Sequence, residues 1–111
     1  GKLCCGENIA DLGGLKLAYR ALKAFLKDQR EQAPRVNGFT PEQRFFLSWA
    51  QVWRQNTSTE HALKLLTIDP HGPCEFRVVG PLANMAEFHE AFSVQEGKPM
   101  FVSTDSRVDI W

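Results

Sequence analysis

The chain has 111 residues, enough for a single domain that buries roughly two-thirds of the surface its unfolded form would expose. Thirteen basic residues balance thirteen acidic ones, and no block of like charge forms the stripe that a nucleic acid would need, so a nucleic-acid partner is not expected. No apolar run approaches the ~20 residues that cross a bilayer, and the first residues lack the basic and apolar parts of a signal peptide; the chain as given reads as soluble, with no membrane segment.

Cys4 and Cys5 are neighbours, with Cα atoms ~3.8 Å apart across a trans peptide, too close for the usual disulfide. A bond from either to Cys74 is geometrically open. An odd count of three, without the density of a secreted scaffold, predicts free thiols.

From Gly6 onward, Leu15, Ala18, Tyr19, Leu22, Phe25 and Leu26 recur at three and four, which predicts one long amphipathic helix over 7 to about 31. Gly13 and Gly14 weaken it near its start and predict close approach by another segment or a bend. Residues 32 to 39, with Pro34, Asn37 and Gly38, read as a connection. Thr40-Pro41-Glu42-Gln43 then supplies a cap, a first-turn proline and a capping-box partner for a helix from about 41 to 55, striped by Phe45, Phe46, Trp49, Val52 and Trp53.

The capping box Thr57-Ser58-Thr59-Glu60 opens a third helix that ends before Pro70. Asp69 to Cys74 is dense in turn residues, and Phe76 to Pro81 is short and extended in character; the whole stretch reads as a loop. Asn84, with Glu87 three residues later, predicts a cap for a short helix through about Phe92. Residues 95 to 111 read as an irregular tail with one strand turn around Phe101 and Val102. The expected fold class is mainly α.

Glu7 and Asp11, four residues apart, project from one helix face. Spacing alone leaves solvent, a metal or a substrate open as their partner, and negative charge at a helix start is favourable by ~0.3–1 kcal/mol with no function at all. His71 lies in a loop bounded by proline and glycine, six residues before Arg77, so an imidazole and a guanidinium are able to face one ligand there. Equally, Arg77 pairs with an acid and His71 caps a turn. His61 and His89 read as surface or core-edge side chains, and Trp49 and Trp53 as core aromatics, although a tryptophan at a core rim also walls pockets.

The run Gly6-Glu7-Asn8-Ile9-Ala10-Asp11-Leu12-Gly13-Gly14-Leu15, followed by Ala18-Tyr19-Arg20-Ala21, resembles the third-ligand helix of the neprilysin and endothelin-converting-enzyme family of zinc metalloendopeptidases. The resemblance continues in order through Phe45 to Trp53, Asp69-Pro70-His71-Gly72-Pro73, Phe76-Arg77-Val78-Val79-Gly80, Ala86-Glu87-Phe88, Glu90-Ala91-Phe92 and Trp111. It implies a partial helical domain of a thermolysin-like (gluzincin) metallopeptidase. By that resemblance Glu7 is a metal ligand, the third protein ligand of a His₂Glu zinc whose fourth position holds the water to be activated. Asp11 is placed like the acid that orients a ligand histidine. His71 resembles the residue that stabilises the oxyanion, and Arg77 the one that grips the substrate backbone after the cut. Val52 and Trp53 match positions lining the apolar pocket for the side chain that follows the scissile bond.

The family's His-Glu-x-x-His helix has no counterpart here: His89-Glu90 comes closest, but Ser93 stands four residues after His89. The upstream asparagine-alanine substrate segment is also missing. Residues 1–111 therefore read as the C-terminal portion of the catalytic domain, inactive alone, with zinc bound in the intact enzyme and not held by this part. Arg54 and Val94 stand where animal relatives carry cysteines, which points to a bacterial member similar to oligopeptidase O. The implied partners are a peptide substrate and the remainder of the same catalytic domain, with self-association through an exposed face of the first helix. Two other readings stand beside this one: a non-catalytic helical interaction module on the same scaffold, and a metal site internal to the chain, built from Glu7, Asp11 and a histidine.

Overall fold

The apolar residues spaced three and four apart after Gly6 do form a helix. In the computed structural model, which describes residues 3–28 and 33–110, α1 runs Cys5–Asp28 and buries Leu12, Gly13, Leu15 and Tyr19 along one face. The end expected near residue 31 lies outside the described residues. Only Gly13 of the glycine pair meets the core; Gly14 is exposed, with open space where a side chain would begin.

The connection that follows contains a tight two-residue turn. Asn37 and Gly38 both take positive φ (52° and 82°), the pairing that lets Val36 and Phe39 exchange backbone hydrogen bonds of 3.1 Å in each direction. Helix α2 then runs Pro41–Val52, and its start is the capping box read from the sequence. Thr40 Oγ1 accepts from the Gln43 amide at 3.2 Å, while Gln43 Oε1 accepts from the Thr40 amide at 3.0 Å. Gln43 Nε2 also donates to the Ala91 carbonyl at 2.8 Å, so the same side chain ties this helix start to a later segment.

Helix α3, Thr59–Ile68, is capped by Ser58 and not by Thr57: Ser58 Oγ accepts from the His61 amide at 3.3 Å. Ser58 is the residue with extended backbone there (φ −64°, ψ 149°), and that is what a cap requires. None of the α3 residues is buried, and α3 packs against no other helix.

The loop expected after Pro70 is half wrong. Residues 69–73 are irregular, but Cys74–Ala83 form helix α4. Both prolines that suggested a loop are compatible with it. Pro73 sits just before the helix, its carbonyl accepting from the Phe76 amide at 2.9 Å, and Pro81 falls in the last turn, where it removes one hydrogen bond. Val78, Leu82 and the following Met85 repeat at helical spacing and join the core, and packing against α1 overrides the weak helix preference of the two valines.

Helix α5, Ala86–Phe92, begins at Met85 without a side-chain cap. Asn84, expected to cap it, instead donates to the Gly80 carbonyl at 2.9 Å and accepts from the Val108 amide at 2.9 Å, joining the end of α4 to the tail. Ser93 in the left-handed region (φ 52°) ends α5. The tail is irregular apart from a 3-10 turn at Thr104–Ser106, and Phe101 and Val102 pair with no strand among the described residues. His89 is buried, not at the surface. Its Nε2 lies 3.0 Å from the Ala83 carbonyl and 3.1 Å from that of Met100, and Arg107 Nη2 lies 2.9 Å from its Nδ1, so the ring pins the tail to the helices.

The fold is thus mainly α, as expected, with no strand among the described residues. Its centre is aromatic. Phe46 (1% exposed) stacks on Tyr19 with centroids 5.3 Å apart and meets Phe88 edge-on at 5.5 Å, beside the fully enclosed Met85. Burial raises the pKa of the Tyr19 hydroxyl above its ordinary value. Cys4, Cys5 and Cys74 are all free, and among the described residues no helix is long and apolar enough to cross a membrane. Phe46→Ala is expected to cost about 3–5 kcal/mol by urea unfolding, against under about 0.5 kcal/mol for Val52→Ala, whose side chain meets solvent.

Candidate functional site

Four of the residues singled out in the sequence meet where α1 crosses the start of α4. Helical spacing sets Glu7 and Asp11 on one face of α1, one turn apart. Asp11 receives Arg77 in a two-point grip, Nε to Oδ2 at 2.7 Å and Nη2 to Oδ1 at 2.8 Å. The two side chains keep 9% and 12% of their surface exposed, so this is a largely shielded, bidentate ion pair. The Asp11 hydrogen bonds raise the Arg77 pKa above its ordinary value and keep the guanidinium charged.

Arg77 is held on two further sides, by Trp49 of α2 and by Trp53, the C-terminal cap of that helix. Its guanidinium carbon lies 3.8 Å from the centre of the Trp53 ring, a cation–π contact, and its carbonyl accepts from Trp49 Nε1 at 3.1 Å. Of the five guanidinium N–H groups, Asp11 engages two and three are left for another acceptor.

One turn before Asp11, Glu7 Oε2 lies 3.2 Å from His71 Nε2. The opposite ring nitrogen, Nδ1, lies 2.7 Å from Asp69 Oδ1, and that same oxygen accepts from the His71 backbone amide at 2.9 Å. Asp69 thereby fixes both the turn and the ring. These contacts, the backbone amide first and the ring second, hold the Asp69 carboxyl below its usual pKa. The loop is seated on α1 at Gly72, where a Cβ would come within 3.6 Å of Asn8 Oδ1.

Beside these residues runs a groove of about 570 Å³ between α3 and the start of α4, lined by Trp53, Leu63, Leu66, His71, Pro73 and Cys74 among others. Trp53 lines this groove. Val52 does not: it is 71% exposed on the outer face of α2. His61 is exposed in the first turn of α3 and stands apart from the site. The internal metal site of Glu7, Asp11 and a histidine is not formed, because Asp11 is committed to Arg77, and no group of three or more metal-binding side chains occurs among the described residues.

Two residues of the site escaped the sequence reading. Asp69 was legible there only as a turn former, although an aspartate two residues before a histidine in a proline-bounded loop is the spacing of a side-chain-closed turn. Trp49 passed for a core aromatic, and nothing local marks its indole N–H as reaching α4.

The model of peptidase family M13 matches residues 1–108, and the chain belongs to that family. It is similar to Neprilysin-3 of Drosophila melanogaster, 42% identical over 113 residues, covering all of this chain and 14% of that protein. It is likewise 43% identical over 112 residues to endothelin-converting enzyme 1 of Bos taurus, covering all of this chain and 15% of that protein. Among solved structures, the Mycobacterium tuberculosis zinc metalloprotease Zmp1 in its open state superimposes with a TM-score of 0.93 at 41% identity, covering all of this chain and 17% of that one. The chain therefore spans only a small part of the length of the relatives it matches.

Asp11→Ala leaves the Arg77 charge without its partner and is expected to destabilise the chain by about 3 kcal/mol or more in urea unfolding. A loss of under about 1 kcal/mol would mean that the pair behaves as an ordinary surface bridge.

Proposed function

We propose that this chain is the C-terminal part of a zinc-dependent metalloendopeptidase that hydrolyses oligopeptides, supplying a metal ligand and substrate contacts and inactive alone. The observation that carries the reading is the joining of Glu7 to His71 and of Asp11 to Arg77 at one helix crossing. An acid for the metal, an imidazole for the oxyanion and a guanidinium for the peptide backbone then lie side by side.

Glu7 is the proposed third zinc ligand. Its carboxylate is 44% exposed at the open end of α1, so it is able to take a metal, and the other ligands come from the remainder of the catalytic domain. When bound, zinc lowers the pKa of a coordinated water and polarises the scissile carbonyl. The substrate contacts proposed for this part of the domain fall to three of its side chains. His71 is held through Nδ1 by Asp69 and turns Nε2 toward the oxygen on which negative charge develops, with its loop preventing rotation. Arg77 donates its remaining N–H groups to the peptide carbonyl just beyond the cut, from a position set by Asp11 and Trp53. Each Asp11 oxygen retains a second lone pair, so Asp11 also accepts the spare N–H of a ligand histidine. Trp53 walls the pocket for the side chain after the scissile bond, and Val52 meets the missing part of the domain beside it.

The same reading accounts for apolar residues left in solvent. Ile9, Leu17 and Phe25 on α1, and Leu63 and Leu66 on α3, are each at least 43% exposed. The remainder of the catalytic domain covers these faces, and without it they favour self-association.

In the intact enzyme, Glu7→Val is expected to abolish bound zinc by metal analysis, and full occupancy would overturn the ligand assignment. The two side chains are expected to separate kinetically. His71→Ala lowers kcat by about 10²–10³ with little change in KM, as for loss of an oxyanion donor, whereas Arg77→Met chiefly raises KM. A normal kcat in the first variant, or an unchanged KM in the second, removes that residue from its role.

A further inference from the structure

Helix α4 contains a missing bond at its most important residue. The carbonyl of Arg77 would accept from the backbone N–H four residues on, but position 81 is proline and has none. That acceptor is taken instead by another element: Trp49 of α2 donates its indole N–H to it at 3.1 Å. Trp49 and Trp53 touch edge to face with centroids 5.5 Å apart, and Trp53 lies against the guanidinium of the same arginine. Trp49 of α2 and Trp53 at its C-terminal cap therefore hold Arg77 at both ends, one at the main chain and one at the charge, with Asp11 closing the third side.

We propose that Trp49 is a positioning residue for Arg77, acting through the carbonyl that Pro81 leaves free. The proposal rests on the reading of Arg77 as the group that grips the peptide backbone. A hydrogen bond to a single carbonyl falls off steeply with distance and angle, so a small drift of the first turn of α4 weakens the grip even while the ion pair to Asp11 persists. Pro81 makes the turn depend on α2. An ordinary residue there would let α4 satisfy its own carbonyl, and Trp49 would become dispensable.

That dependence supplies the test. In the intact enzyme, Trp49→Phe keeps the aromatic bulk and removes the donor, and it is expected to raise KM for a peptide about three- to tenfold with kcat nearly unchanged. Pro81→Ala, added to Trp49→Phe, restores a backbone donor for the Arg77 carbonyl and is expected to return KM to within about twofold of the unmodified enzyme. A purely structural role for the indole would lower stability without that rescue. Unchanged KM in Trp49→Phe, or a double variant no better than the single one, overturns the proposal. Arg77→Met, measured alongside, separates the two layers. If its KM rises while that of Trp49→Phe does not, only the positioning role fails; if its own KM is unchanged, the grip fails and this proposal with it.

Discussion

The ion pair between Asp11 and Arg77 is the constraint on which the rest of this structure depends. Two charges are nearly removed from water, and such a pair is tolerable only when the geometry is good and the opposite charge stays in place. Both conditions need α1 and α4 side by side in one register. Leu12, Leu15 and Leu82 supply the apolar contact that brings them together, and Trp53 shields the guanidinium from the third direction. Hence the segment after Gly72 must be helical: as an extended loop it would not carry Arg77, Val78 and Leu82 on one side toward α1.

The pair also settles a local conflict. Glu7 and Asp11 are like charges one turn apart, a spacing that destabilises an isolated helix. The positive end of the α1 dipole offsets part of the repulsion. Arg77 removes Asp11 from the contest, and the imidazole of His71, braced by Asp69, faces Glu7. The two acids therefore belong to separate partners, one shielded and one open to solvent, and only the open one has the accessibility that a metal ligand needs.

Much of the helical framework was legible in the sequence because its signals are local. The Thr40-Pro41-Glu42-Gln43 box and the apolar period of α1 need no distant partner to be read. Helix α4 was not legible, since Gly80-Pro81 and two valines argue against a helix locally, and only burial of Val78 and Leu82 against α1 decides otherwise. Likewise Thr57 and Ser58 both read as caps in the sequence, and the Ser58 hydroxyl is the one that accepts from the helix. Within the site, spacing put Glu7 and Asp11 on a common face, while His71 and Arg77 acquired their proposed roles from family resemblance. The pairing of Arg77 with Asp11 was only one of the alternatives open for that residue, and its partner was unnamed. Partners separated by 66 positions leave no mark in a local pattern.

That separation carries a consequence for how the chain assembles. Joining Asp11 to Arg77 closes a loop that contains all of α2 and α3, and the entropic cost of closure rises only with the logarithm of loop length, by about 0.6 kcal/mol for each doubling. The ion pair itself is therefore sensitive to the two ends of the loop and nearly indifferent to its contour length. An insertion at the exposed Asn56, between α2 and the cap of α3, changes the closure entropy by a small fraction of what one misplaced charge would cost. The chain has room there to lengthen and diversify while the crossing of α1 and α4 stays as it is.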